Sequence, residues 1–312
     1  METKQPANYN KTLQKLYRQR YLLLMLAPTI ILISVFAYKP LTGWVMAFKD
    51  YRPGKNLWET NWVGLSYLIE FFQDTSDSWR VIKNTLVMNF TSLMNNMLCA
   101  MIFAILLNEL SSFKFKRFVQ TVSLFPFFIS WMITYSIVYV FFSVNAGVVN
   151  TFLVSAGILK DGINILGDPK YSWGLMIGLN LWKSLGYNSI IFLAAIAGID
   201  QELYEAATID GASWFQKALY ITVPCISPTF AVLIILNSGW LLESNFEQFY
   251  IFTNPTNITT MEVFEMYIYR FGLGMGRYAY ATAVCIVKTA VSLILLTSVN
   301  YLSKRLTDKS VF

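Results

Sequence analysis

The sequence predicts an all-α integral membrane protein with six transmembrane helices, and three observations carry that prediction. Of its 312 residues only 13% are charged, whereas 55% are hydrophobic and 16% aromatic; a soluble domain carries about a quarter charged residues. Six apolar runs have the length, about 20 residues, at which a helix crosses the hydrocarbon of a bilayer. The Lys and Arg residues behind the net charge of +6 sit at the ends of those runs. That is the pattern of membrane topology, not the single basic stripe of a nucleic-acid binder.

The first run, residues 21–38, follows an N-terminal segment, 1–20, holding Lys4, Lys11, Lys15, Arg18 and Arg20. No small-x-small cleavage site comes after it and five more runs do, so it reads as an anchor and not as a signal peptide. The others are residues 85–108, 118–142, 172–197, 222–242 and 279–302. An even number of spans puts both termini on one side. Lys and Arg are about twice as dense on the terminal side as on the other, most clearly at Lys114, Lys116 and Arg117, which predicts cytoplasmic termini. Trp58, Trp62, Trp79, Tyr171 and Trp173 near the ends of the outer loops suit an interfacial belt. One transmembrane domain, residues 21–302, with cytoplasmic ends at 1–20 and 303–312, accounts for the chain.

Several chemistries are excluded. The chain has no His, which removes imidazole metal sites, Ser-His triads and His proton relays. Cys99, Cys225 and Cys285 lie far apart without zinc-site spacing and read as packing residues. Gly54-Lys55 lacks the upstream glycine of a P-loop, and Gly272-Leu-Gly274-Met-Gly276-Arg277 has no βαβ unit around it. No cofactor and no metal are expected. A secondary carrier needs acidic residues or His in its spans, yet only Lys183 and Lys288 lie well inside them. Each lysine reads equally as paired with backbone carbonyls, snorkelling, or functional. A membrane-embedded enzyme needs a carboxylate pair or a metal cluster; Glu243 and Glu247, four apart, read as solvated loop acids.

Residues 198–224, between the fourth and fifth runs, have a pattern that lipid does not explain. Asp200 suits a helix N-cap, good helix formers follow through Ala207, and Gly211 suits the left-handed residue that ends the helix. Ser213 with Gln216 three positions on is a capping box, and Pro224 marks where that second helix meets the next span. A helix of about nine residues, roughly 13 Å long, is not stable alone. It needs a docking partner, and a soluble subunit is the natural one.

This segment resembles the cytoplasmic EAA loop of binding-protein-dependent ABC importer permeases, whose pattern is Glu-Ala-Ala, three residues, Gly, nine residues, Ile-x-Leu-Pro. Glu205, Ala206, Ala207, Gly211, Ile221 and Pro224 match, with Val223 in place of Leu. The likeness covers nearly the whole chain and is to the maltose-permease type. It includes Gly147-Val-Val-Asn150, Asn180-Leu-Trp182-Lys-Ser-Leu-Gly186-Tyr187, Phe246-Glu-Gln-Phe-Tyr250, Asn254-Pro255 and Tyr267-Ile-Tyr-Arg270. The last three are most similar to the branch for large oligosaccharides and polysaccharide fragments. The resemblance implies a type I importer permease in a bacterial cell membrane, importing an oligosaccharide by alternating access. A secondary carrier, or an ABC permease for a non-sugar substrate, is the alternative. The implied partners are a second permease subunit, as a rule a different chain, two cytoplasmic ATP-binding subunits, an extracytoplasmic sugar-binding protein and membrane lipid, with no nucleic acid. Coupling to the ATPases is implied for Glu205, Ala206, Ala207, Asp210, Gly211, Ile221 and Pro224.

A sugar requires aromatic faces for its C–H surfaces and amides or hydroxyls for its OH groups. Asn180, Lys183, Ser184 and Tyr187 are spaced i, i+3, i+4 and i+7, and so are Asn237, Trp240, Leu241 and Ser244, with Asn245 beside them. In the maltose-permease type, sugar contacts fall on these two helices, so the resemblance and the periodicity agree on these nine residues. Trp131, Tyr135 and Tyr139 form a further aromatic face, expected to be packing or belt.

Overall fold

The computed structural model describes residues 17–307, with side chains as far as residue 301; Lys4, Lys11, Lys15 and residues 308–312 of the tail lie outside the described residues. The described chain is helical, and its only strand-like pairing is an isolated bridge between Lys49 and Trp62.

Helix α1, Arg20–Phe48, passes through a π turn at Ser34–Tyr38 into 3-10 geometry, so the first span is longer than its apolar run. Only Ala47 of this helix is buried in the chain, which leaves its apolar surface for lipid or another subunit. Then come α2 (Ser66–Gln73) and the long α3 (Thr75–Asn108). Helices α4 (Phe113–Phe128) and α5 (Trp131–Phe142) meet at 103°. The expected single span at 118–142 is therefore two helices. Pro126 withholds a backbone donor near the end of α4, and Ser130 caps a new helix by accepting from the Ile133 N–H at 3.4 Å.

After α6 (Val148–Ser155), helix α7 (Pro169–Ala197) starts at Asp168, whose carboxylate accepts from the Lys170 N–H at 2.9 Å. Helix α8 (Gln201–Ile209) follows α7 at 72°. Helix α9 runs unbroken from Trp214 to Ser238. Pro224 does not divide it, because the π turn Ala218–Thr222 sits just before the proline and absorbs the missing bond. It also stops four residues short of the expected 242, in a turn that begins at Gly239. Helices α10 (Phe246–Phe252), α11 (Ile258–Met261) and α12 (Phe264–Tyr269) form a short cap before α13 (Tyr278–Thr307). Among the described residues four helices, α1, α3, α9 and α13, are long and apolar enough to cross a membrane, and the number rises to six when each of the bent pairs α4/α5 and α7/α8 is counted as one span.

Three apolar clusters hold the bundle. Met97, Ala100, Ala104, Phe192, Ile196 and Ile226 join α3, α7 and α9, where alanines let the helices approach closely. Met88, Trp131, Met176, Phe249 and Val263 join the middle of the bundle to the α10–α12 cap. Phe71, Val81, Phe264, Tyr267 and Val284 join α2, α3, α12 and α13. Helix α7 crosses α4 at Gly186, where a Cβ would overlap the Ser123 carbonyl. One turn away, Lys183 is 8% exposed, donates to the Ile129 carbonyl and lies 4.8 Å over the Trp131 ring. This lysine thus caps the α4–α5 bend.

Candidate functional site

Two features have a geometry that packing alone does not account for. The first is the helix–turn–helix at 198–224. The Asp200 carboxylate accepts from the Glu202 N–H at 3.0 Å and starts α8. Gly211, at φ +76°, ends it: the Gly211 N–H donates to the Thr208 carbonyl at 3.1 Å and the Ala212 N–H to Ala207 at 2.9 Å. These are the paired bonds of a Schellman turn. The Ser213 box is complete, its N–H donating to Gln216 Oε1 at 2.7 Å and its Oγ accepting from the Gln216 N–H at 3.4 Å. Tyr204 bonds Thr222 through their hydroxyls at 2.8 Å, and Lys217 Nζ donates to Thr208 Oγ1 at 2.9 Å, pinning α8 to α9. No residue of α8 is buried. Glu205, Ala206, Asp210 and Gly211 are exposed, Ala207 and Ile221 half-buried, and Ile209 is 86% exposed. The segment is rigid and presents an unpartnered face.

The second feature is a cavity of about 210 Å³ between α3, α7, the end of α9 and α10. Six amides line it: Asn89, Asn96, Asn180, Asn237, Asn245 and Gln248. They are wired together across helices. Asn96 Nδ2 donates to Asn180 Oδ1 at 2.7 Å, Asn180 Nδ2 to Gln248 Oε1 at 3.4 Å, and Gln248 Nε2 to the Met176 carbonyl at 3.0 Å. Asn89 Nδ2 donates to the Leu241 carbonyl at 2.9 Å and to Ser244 Oγ at 3.0 Å. Asn96 Oδ1 is buried without a partner among the described residues. Trp240, 66% exposed, offers a flat apolar face at the rim.

Five of the nine residues expected to face a ligand line this cavity: Asn180, Asn237, Trp240, Leu241 and Asn245. The other four do not. Lys183 points to the α4–α5 bend, Ser184 donates to the Asn180 carbonyl at 2.8 Å, and Tyr187 stacks on Phe127 at 4.3 Å. Ser244 stands behind the wall on Asn89. The helical spacing expected of Asn237, Trp240, Leu241 and Ser244 is not realised, because α9 ends at Ser238. Trp240 and Leu241 reach the cavity from a turn. Asn89, Ser92, Asn96 and Gln248 were missed. The polar run Asn89 to Asn96 inside an apolar helix was the available signal.

Other charged groups are tied into the scaffold. Glu262, almost wholly buried, pairs with Arg80 at 2.9 Å and Arg270 at 2.7 Å, and Arg80 also meets Asp77 at 2.7 Å. Lys288 is not left to carbonyls or snorkelling: its Nζ lies 2.6 Å from Glu265 and 3.6 Å from Glu243. Outside the spans, burial and then the Asp50 carboxylate, which accepts its hydroxyl at 3.2 Å, push the Tyr67 phenol up, away from any acid–base role at neutral pH. Among the described residues no group of three or more Cys, Asp or Glu could hold a metal. Cys99, Cys225 and Cys285 are free thiols, and Cys225 is exposed, so it does not pack within this chain as expected.

Sequence and structure comparisons agree with this architecture. Protein LplB of Bacillus subtilis (strain 168) is 38% identical over 95% of this chain and 92% of its own length. The polygalacturonan/rhamnogalacturonan transport system permease protein YteP of the same organism is 38% identical over 97% of this chain and 93% of its own. A chain from the crystal structure of a bacterial alginate ABC transporter, in complex with an alginate pentasaccharide-bound periplasmic protein, superposes with a TM-score of 0.86. It is 37% identical and covers 95–96% of this chain across two such structures and 99% of that chain. Residues 96–308, which hold the exposed helix–turn–helix and most of the cavity lining from Asn96 onward, match one family, and the chain belongs to it: the binding-protein-dependent transport system inner membrane components.

Proposed function

We propose that this permease is one half of the translocation path of an ATP-driven oligosaccharide importer, with the amide cavity in the path and the 198–224 loop as its drive point. The observation that carries the reading is the connection between them. Asn180 lies on α7, which ends at Ala197, just before the Asp200 cap, while α9 runs unbroken from the Ser213 cap to Asn237. Twenty residues of helix is about 30 Å, so a displacement of α8 reaches both cavity walls through rigid rods.

In this reading ATP is bound and hydrolysed on two cytoplasmic partner subunits, and the chain itself contributes no nucleotide site. Glu205, Ala206, Ala207, Asp210, Gly211, Ile221 and Pro224 form the ATPase-facing segment. The exposed face of α8 supports this, because a nine-residue helix that buries nothing needs a partner. A second permease subunit supplies the other wall, and an extracytoplasmic binding protein delivers the sugar. The alginate transporter crystallised with such a protein is the relative that supports this step. Both termini are cytoplasmic, as the Lys and Arg density indicates.

Asn180, Asn237, Trp240, Leu241 and Asn245, with Asn89, Ser92, Asn96 and Gln248, would contact the sugar. Amides match its hydroxyls, and the indole matches a ring face. Lys183, Ser184, Tyr187 and Ser244 would shape the site from behind. With the importer reconstituted in vesicles, Trp240→Ala should lower apparent affinity in sugar uptake about tenfold, or 1.4 kcal/mol, with assembly intact. A sugar-bound structure of the complex with every contact on the partner permease would overturn the site.

A further inference from the structure

The cavity wall carries one charge. Glu243 lines it, in the turn after α9, with its N–H donating to the Trp240 carbonyl at 2.9 Å and its side chain 59% exposed. Among the described residues no Lys or Arg lines the same cavity. The nearest cations do not cancel this charge in full: Lys288 lies 2.6 Å from Glu265 as well as 3.6 Å from Glu243, and Lys183 donates to the Ile129 carbonyl. Two carboxylates share Lys288, so the group keeps a net negative charge. A second acid, Glu247, is exposed in the first turn of α10, next to Asn245. Glu243 is thus a solvent-exposed loop acid, as expected, and it stands at the cavity rim three residues from Trp240 with Lys288 3.6 Å away.

We propose that Glu243 filters cargo by charge, so that this chain's wall of the path accepts uncharged saccharides and disfavours uronates. The inference rests on the reading of the cavity as a sugar path. Amides and an indole recognise hydroxyls and ring faces without needing a charge on the ligand. A uronate places a carboxylate on each ring, and close to Glu243 like charges repel, an effect that solvent and salt moderate at an exposed carboxylate. The cargo class therefore differs from that in the names of the polygalacturonan and alginate relatives.

The test uses the complete importer, both permeases and both ATPases, in lipid nanodiscs without its binding protein, so that selection by the latter does not intervene. The probes are a galactose tetrasaccharide and a galacturonate tetrasaccharide of the same linkage, which differ by CH₂OH against carboxylate on each ring. Saturation-transfer NMR should show the galactose probe bound, with the signal lost in Trp240→Ala, and the galacturonate probe at least about tenfold weaker. Glu243→Gln should bring the two probes together, and added salt should narrow the gap in the unmodified protein. Galacturonate binding as well as galactose, or a gap that persists in Glu243→Gln, overturns the charge filter while leaving the sugar path standing. Absence of any Trp240-dependent signal from either probe overturns the sugar path itself and the filter with it.

Discussion

The 198–224 loop and the amide cavity lie at opposite ends of the same two helices, yet they are built in opposite ways. The loop is closed mostly by bonds between residues two to five apart, Asp200 with Glu202, Gly211 with Thr208, Ala212 with Ala207 and Ser213 with Gln216. Its two helices are pinned by Lys217–Thr208 and Tyr204–Thr222, only nine and 18 apart. The cavity is closed by bonds between residues 84, 68 and 155 apart, as in Asn96 with Asn180, Asn180 with Gln248 and Asn89 with Ser244. In the loop the shape is finished within the chain and the outward face is left bare. In the cavity the amides bond one another, backbone carbonyls and Ser244, and the face they turn inward is polar. A change in the loop should therefore cost function without stability, whereas a change in the cavity should cost both.

The largest effect that tests this contrast belongs to the loop. A Cβ at Gly211 would meet nothing within 4 Å, so Gly211→Val costs only the strain of its positive φ, about 1–2 kcal/mol, confined to one turn. Glu205→Lys adds no strain at all, since Glu205 is exposed on α8. Both variants should assemble, Glu205→Lys with an unchanged melting temperature and Gly211→Val with a small drop at most, and both should lose more than about tenfold of uptake, while ATP hydrolysis continues uncoupled. Gly211→Asn, which tolerates the left-handed region, should keep most transport. Normal uptake in Gly211→Val and Glu205→Lys together would remove the coupling role from the loop.

The cavity should behave differently. Gln248 is buried, and its amide joins α10 to Asn180 and to the Met176 carbonyl. Gln248→Leu fills a similar volume but strands those partners, a loss of about 1–3 kcal/mol. The expected result is a lower melting temperature of the purified complex together with weaker sugar uptake. A variant that lost uptake at full stability would show the two regions to be built alike.

The same contrast explains what could be read from the sequence. Capping residues act on groups within the next turn, so Asp200, Gly211 and Ser213 were legible one by one, and hydropathy alone located the spans. Where local and global signals compete, the reading fails. The apolar run at 118–142 hides the 103° bend, because the lysine that caps it, Lys183, arrives from another helix. The run to 242 hides the end of α9 at Ser238, so a helical face was expected where a turn presents Trp240 and Leu241. Asn96 gave no sign of meeting Asn180, because that bond joins α3 to α7 across 84 residues, and Gln248 gave none because the α10–α12 cap that brings it there is fixed by long-range pairs such as Glu262 with Arg80. Glu243 is solvated as expected, but its pairing with Lys288 was not legible, because that lysine lies on α13.

The smallest effect is the sharpest test of how local the loop is. Ser213 contributes one side-chain acceptor, to the Gln216 N–H, while Gln216 Oε1 returns the bond to the Ser213 N–H. Ser213→Ala removes the first bond and leaves the second, and cap losses of this kind cost about 0.5–2 kcal/mol. The start of α9 is also held by the Tyr204–Thr222 and Lys217–Thr208 bonds, which the substitution does not touch. Faster hydrogen exchange should therefore be confined to the first turn, Trp214 to Lys217, with protection unchanged from Ile226 onward, where the helix is packed against α3 and α7. If exchange instead rose at Ile235 and Asn237, the strain of one lost cap would be crossing the π turn at 218–222 to the cavity. Helix α9 would then not be the rigid rod that links the two ends.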